Sequence, residues 1–201
     1  MILILDYGAS NLRSVQKAFE YLGIPARLTN QPCEIATAKK ILLPGVGAFG
    51  KAIDALHRTG FAEAIAEHAD KGRDLLGICL GMQLLLTQSE EMGLHQGLNL
   101  LSGHVRKFDS TKDKVPQIGW NSLDRIHRHS ALFKGIDEGE YFYFVHSYYC
   151  DMTEPCIAAE AFYAGVSFTA GIEKNNIFAV QFHPEKSGES GLKILKNFAR
   201  H

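Results

Sequence analysis

The run Leu75-Leu76-Gly77-Ile78-Cys79-Leu80-Gly81-Met82-Gln83-Leu84-Leu85-Leu86 constrains this chain more than any other stretch. Leu75, Leu76 and Ile78 are apolar without helical spacing, the pattern of a strand buried on both faces. Met82 to Leu86 then reads as a helix, so Gly77-x-Cys79-x-Gly81 falls on the turn between the two. A turn that sharp brings backbone against backbone, and glycine leaves room for the approach. A reactive side chain between glycines at such a turn is the nucleophile-elbow pattern, here with Cys where hydrolases carry Ser. At a helix start, free N–H groups and the positive end of the dipole favour thiolate over thiol. The stretch fits a buried structural cysteine equally well. Alone, it leaves both readings open.

The remainder alternates strand and helix. Residues 1–5 form a short apolar run, and Ser10 or Asn11 can cap a helix carrying Leu12, Val15, Phe19 and Leu22 at helical spacing. Gly23 closes that helix and Pro25 prevents its resumption. Residues 26–29 and 40–43 are the next two strands, and 51–58 and 61–71 are helical stretches. This alternation implies parallel strands joined by right-handed crossovers. Beyond Gly93, β-like runs near residues 105–108, 115–118, 141–145, 157–163, 165–170 and 176–182 point to a mixed sheet with hairpins, continuous with the parallel one. A last helix, 187–200, presents Leu192, Leu195 and Phe198. With no linker or repeat in view, the expectation is one α/β domain over residues 1–201: an open, mixed, mostly parallel sheet flanked by helices.

Charge and cysteine usage narrow the function. A net charge of −1 offers no basic field for nucleic acid and no polybasic patch for a membrane surface. No apolar run approaches a bilayer span, and the N-terminus starts as a strand without signal-peptide layout, so a cytoplasmic location is expected. Cys33, Cys79, Cys150 and Cys156 show neither CxxC nor zinc-ligand spacing, which speaks against a disulfide framework or a metal site.

Two further stretches carry chemistry. Pro44-Gly45-Val46-Gly47-Ala48-Phe49-Gly50 follows the third strand directly, and ligands bind at the carboxyl ends of strands in open α/β sheets. Its N–H groups are unobstructed and can face an anion, although it lacks the Gly-Lys-Ser/Thr ending of a phosphate loop. Residues 179–187, Ala-Val-Gln-Phe-His-Pro-Glu-Lys-Ser, end an apolar strand in His183 with Glu185 two positions on. A cysteine nucleophile needs a base to move its proton, and the base needs an acceptor that fixes its tautomer. His183 and Glu185 supply that pair.

GICLGMQ around Cys79 and QFHPE around His183 together resemble the class I (triad) glutamine amidotransferase family. Within it, DYGASNLRSV, LPGVGAFG, VPQIGWN, YFVHSYY and HPEKS are similar to the glutaminase subunits of imidazole glycerol phosphate synthase. Ser10 stands where that family often has glycine, and Gln117-Ile118 where it commonly has His-Met. The resemblance implies a flavodoxin-like fold and hydrolysis of L-glutamine by Cys79, His183 and Glu185, with no metal or organic cofactor. It implies an oxyanion hole from the N–H of Leu80 and the Gly45-Val46-Gly47 turn. It assigns glutamine binding to Gly47, Gln83, Glu91, His146, Ser147 and Tyr148. It also implies a cyclase partner with a (β/α)8 barrel that receives the ammonia, touching Asn11, Trp120, Asn121, Tyr143 and Lys186. Paralogous glutaminases that feed other synthases, such as sugar-amidation enzymes, share these motifs and stand as the alternative.

Overall fold

A computed structural model describes residues 1–8 and 11–201 of the chain, so the predicted cap at Ser10 lies outside the described residues. The first half runs β1 (Ile2–Leu5), α1 (Leu12–Tyr21), β2 (Ala26–Thr29), β3 (Lys40–Leu43), α2 (Phe49–Thr59), α3 (Phe61–Asp70), β4 (Asp74–Ile78) and α4 (Leu80–Leu84). Strands β5 (Leu86–Ser89), β6 (His95–Gln96), β7 (Leu101–Lys107), β8 (Gln117–Ser122) and β9 (Arg125–Ile126) follow. The chain ends with β10 (Tyr141–His146), β11 (Tyr148–Met152), β12 (Ile157–Tyr163), β13 (Val166–Lys174), β14 (Ile177–Val180) and α5 (Gly188–Arg200). Short 3-10 turns lie at Pro32–Thr37 and Pro184–Lys186.

Strand β1 shows why its sequence is apolar throughout. Ile2 and Ile4 face a core built with Leu12, Val15 and Phe19 of α1 and Ile194, Leu195 and Phe198 of α5. Leu3 and Leu5 face the opposite core, with Phe49, Ile53 and Leu56 of α2 and Phe61 and Ile65 of α3. Alternate residues therefore feed two helix layers, and every position must be apolar. The strand order β2-β1-β3-β4-β14 is parallel throughout. From β14 onward antiparallel pairs enter through β13, β11 and β7, which makes the sheet mixed. None of the described helices is long and apolar enough to cross a membrane.

The structure corrects the sequence reading in three places. Strands β8 and β10 pair with each other as a separate two-stranded ribbon rather than joining the main sheet. The helix after the elbow is a single turn ending at Leu84, and Leu86 already begins β5. Leu84, Leu85 and Leu86 are all fully buried, so their apolarity reflects burial and not a helical face. Asn11 sits at the start of α1 in the left-handed region, φ 69°, and its side chain does not cap the helix.

Strand β3 and the elbow meet with almost no space between them. A Cβ on Gly81 would lie 1.9 Å from the Leu43 carbonyl oxygen, and one on Gly77 would lie 3.0 Å from the Gly81 carbonyl. Because a backbone carbonyl cannot step aside as a flexible side chain can, Gly81→Ala is expected to destabilise the fold by about 3 kcal/mol or more, as severe overpacking does. Urea denaturation followed by far-UV circular dichroism measures it.

Candidate active site

Three neighbouring parallel strands deliver the predicted groups to one place. The Pro44–Gly47 turn leaves the end of β3, Cys79 follows β4, and His183 follows β14. Strand β4 lies between the other two, with Leu43 opposite Gly77 and Val180 opposite Ile78. The three carboxyl ends therefore stop side by side, the position at which open α/β sheets bind ligands. The Cys79 N–H bonds the Val180 carbonyl at 2.8 Å, which ties the elbow to the histidine strand. Cys79 itself has φ 54° and ψ −112°, a conformation that costs a non-glycine residue about 1–3 kcal/mol. Leu80 is the first residue of α4, where an N–H has no carbonyl one turn back to bond.

The histidine is held from behind. His183 Nδ1 lies 2.9 Å from Glu185 Oε1, and the ring shares its cleft wall with Cys79. Burial alone would push the imidazole pKa down, but the Cys79 sulfur and the Glu185 carboxylate outweigh it and raise it to about 10. Both side chains of the His183–Glu185 pair are almost wholly enclosed, at 4% and 1% exposure. Asn11 Nδ2 donates to the same Glu185 oxygen at 3.0 Å, and Asn11 Oδ1 accepts from Ser14 at 2.7 Å. The backbone below is pinned as well, since Ser187 Oγ donates to the His183 carbonyl and accepts from the Tyr143 N–H.

Around this pair opens a cleft of about 490 Å3. Cys79, His183, Val46, Gly47, Leu80, Gln83 and Glu91 line it, together with His146, Ser147 and Tyr148. Glu185 stays behind the imidazole and out of the cleft. Glu91 Oε2 accepts the Phe49 N–H at 2.7 Å, which places its carboxylate at the start of α2. His146 is buried and has both ring nitrogens occupied, by the Tyr148 carbonyl and the Gln117 side-chain amide, each at 2.8 Å. Burial pushes its pKa down to about 4, so it stays neutral at physiological pH. Of the residues assigned to an interface, Asn11 and Lys186 line the cleft, whereas Trp120 is 57% exposed on the ribbon. Trp120 is the cross-strand partner of Tyr143, edge to face at 6.1 Å, and Lys186 Nζ sits 5.8 Å above the Tyr143 ring. Asn121 Nδ2 donates to the Phe162 carbonyl at 3.0 Å.

Two residues in the site escaped the sequence reading. Gln181 is fully buried and reaches the Cys79 sulfur; its only signal was a polar residue in an otherwise apolar strand end. Tyr7 donates to the Pro44 carbonyl at 2.9 Å and packs against the glycine-rich turn, a long-range contact that no local pattern announces.

The family model for class-I glutamine amidotransferases matches residues 3–201. The chain belongs to this family. A relative from Chlorobium luteolum named imidazole glycerol phosphate synthase subunit HisH is 61% identical over 200 residues, spanning 99% of each chain. A protein of the same name from Methanosarcina acetivorans is 49% identical, spanning 98% of this chain and 96% of its own. Among solved structures, a crystal structure of a glutamine amidotransferase superposes with a TM-score of 0.76 at 16% identity, covering 98% of both chains. PurLQS from Thermotoga maritima gives 0.72 at 21% identity, covering 99% of this chain and 97% of its own. At such identities these two likenesses speak to the amidotransferase fold alone.

In this amidotransferase the Tyr7 hydroxyl is the side chain that fastens the turn between β3 and α2. Tyr7→Phe leaves the buried Pro44 carbonyl without its donor, and the expected loss of stability is about 1–3 kcal/mol. Thermal melts of the two proteins at the same pH report it.

Proposed function

We propose that this chain is the glutaminase subunit of imidazole glycerol phosphate synthase, hydrolysing L-glutamine and passing the ammonia to a cyclase subunit. The observation that carries the chemistry is the buried His183 ring, paired with the Glu185 carboxylate and lining one cleft with Cys79. The Cys79 thiolate attacks the side-chain amide carbon of glutamine. The oxyanion that forms is met by the Leu80 N–H and by one from the turn containing Val46 and Gly47; losing one such donor typically raises the barrier by roughly 3 kcal/mol. The His183 imidazolium gives its proton to the departing ammonia, leaving a γ-glutamyl thioester on Cys79. The neutral ring then takes a proton from water, whose oxygen displaces the thiolate and releases glutamate. Glu185 keeps the ring in the tautomer and orientation that both steps require.

Glu91 and Gln83 are placed to receive the amino acid's charged end. The Gln83 side-chain nitrogen is committed to the Tyr148 carbonyl and to Gln181, each at 3.0 Å, which leaves its oxygen to accept from an ammonium. With the Glu91 carboxylate on the same cleft, the α-ammonium goes to these two side chains. The α-carboxylate is left to the backbone near Gly47 and the Ser147-Tyr148 stretch.

The partner reading rests on the ribbon. Ile118 and Trp120 of β8 and Tyr141 of β10 are 62%, 57% and 61% exposed, an apolar stripe next to the cleft mouth. Exposed aromatic anchors of this kind are typical of binding hot spots. The name shared by the relatives, a synthase subunit, favours a cyclase as occupant, for which we propose a (β/α)8 barrel touching Asn11, Trp120, Asn121, Tyr143 and Lys186. Four free thiols fit a reducing compartment such as the cytoplasm.

The decisive measurement is ammonia release from glutamine with the cyclase subunit and its nucleotide ligand added. Cys79→Ala and His183→Asn should each fall below about a thousandth of wild-type turnover. Glu185→Gln should keep part of the rate, since it removes charge but not shape. Equal activity in all three would assign these residues to structure. Turnover should also decline as the pH rises through about 10, where His183 loses the proton it must deliver.

A further inference from the structure

Gln181 stands between the last strand residue, Val180, and the histidine stretch, with no exposed surface at all. A buried amide must place both its oxygen and its NH2, and here the placement of each follows from a main-chain group. The Tyr148 carbonyl can only accept, so the side-chain amide of Gln83, 3.0 Å away, must turn its NH2 toward it. The same NH2 is 3.0 Å from the Gln181 oxygen, which must therefore accept. That leaves the NH2 of Gln181 facing the Cys79 sulfur, with Nε2 at 3.8 Å. The orientation of the second amide is thus fixed by a backbone carbonyl two hydrogen bonds away.

We propose that Gln181 is a hydrogen-bond donor to the Cys79 sulfur, oriented for that task by Gln83 and the Tyr148 carbonyl, and that it holds the nucleophile in its thiolate form. The inference rests on the reading of Cys79 as nucleophile. An N–H aimed at sulfur stabilises the anion more than the thiol, because hydrogen bonds to charged acceptors are the stronger ones. Its direction also matters: it comes from the residue just after β14, whereas the Val145 carbonyl, an acceptor, lies 3.9 Å from the same sulfur on the ribbon. The carbonyl disfavours negative charge on sulfur, and the Gln181 amide opposes it. The other titratable groups that feel Cys79 are His183, Tyr7 and Cys150. Burial pushes the Tyr7 hydroxyl and the Cys150 thiol up, so both remain protonated and neither supplies a compensating charge. Glu185 bears on the sulfur through the imidazole it holds.

The test is the pH profile of iodoacetamide labelling in the full-length chain, resolved by peptide so that Cys79 and the exposed Cys33 are followed separately. Gln181→Met keeps the bulk and removes the donor. Gln181→Glu also removes the donor and still accepts the hydrogen bond from Gln83, but its carboxylate adds repulsion that pushes the sulfur the same way, so the size of the shift is read from Gln181→Met. Both should shift the Cys79 profile alkaline by about one pH unit or more, equivalent to about tenfold slower labelling at a fixed pH below the midpoint. The Cys33 profile should not move. Should Gln181→Met fail to fold, Gln181→Leu, equally uncharged and without a donor, carries the comparison. A Cys79 profile in the uncharged variant that superimposes on wild type would overturn the proposal while leaving the glutaminase reading intact. Full glutamine turnover by Cys79→Ala would overturn both.

Discussion

Gly81 approaches the Leu43 carbonyl so closely that not even a methyl group fits between them. This contact joins the end of β3 to the elbow after β4, and the site is assembled across it. It lets the glycine-rich turn lie against the first residues of α4, where a Cβ on Gly45 would touch both the Gly81 nitrogen and the Leu80 side chain at 3.0 Å. Val46 and Gly47 of the turn and Leu80 at the helix start therefore border one cleft. The strained backbone at Cys79 belongs to the same arrangement, since a non-glycine residue at φ 54° and ψ −112° persists only where its surroundings over-determine it. Packing on both sides of β4 supplies that pressure.

Inside this frame burial disfavours charge on both histidines of the cleft, and their partners decide which of them carries it. His183 and His146 lie in the same cleft wall and titrate in opposite directions. His183 has an anionic acceptor on one side and sulfur on the other, and both favour the charged ring. His146 has burial against it, only partly offset by the Tyr148 carbonyl, and feels the positive charge of His183 besides. One histidine is thereby held charged and its neighbour neutral at physiological pH. Nothing in the residue type distinguishes them; their partners do.

Much of this was legible in the sequence. Strands β2 and β3 fall on the predicted residues, because a four-residue apolar or half-apolar run bounded by Pro and Gly has few other outcomes. The elbow and the His183-Pro184-Glu185 stretch could be read because their chemistry is local: small residues around a thiol, and an acid two positions from a base. What stayed hidden depends on contacts distant in sequence. The ribbon of β8 and β10 separates from the main sheet through a pairing that alternation alone cannot specify. Leu84 to Leu86 look helical because pattern registers burial and not its cause. Asn11 looks like a helix cap because Asn is a good one, yet its amide is drawn to a carboxylate 174 residues away. Gln181 and Tyr7 are ordinary in sequence and acquire meaning from the groups that folding sets beside them.

The carboxylate of Glu91 bonds the first N–H of α2 with one oxygen and borders the cleft. A glutamate free in solution samples many rotamers, and confining such a side chain on association typically costs about 0.5–1.5 kcal/mol. Here the helix terminus has already confined it, so that entropy is surrendered once, when the chain folds. The helix gains a counter-charge at its positive pole in the same stroke. A single bond thus serves as a fold contact and as the brace that keeps the acid at the cleft wall.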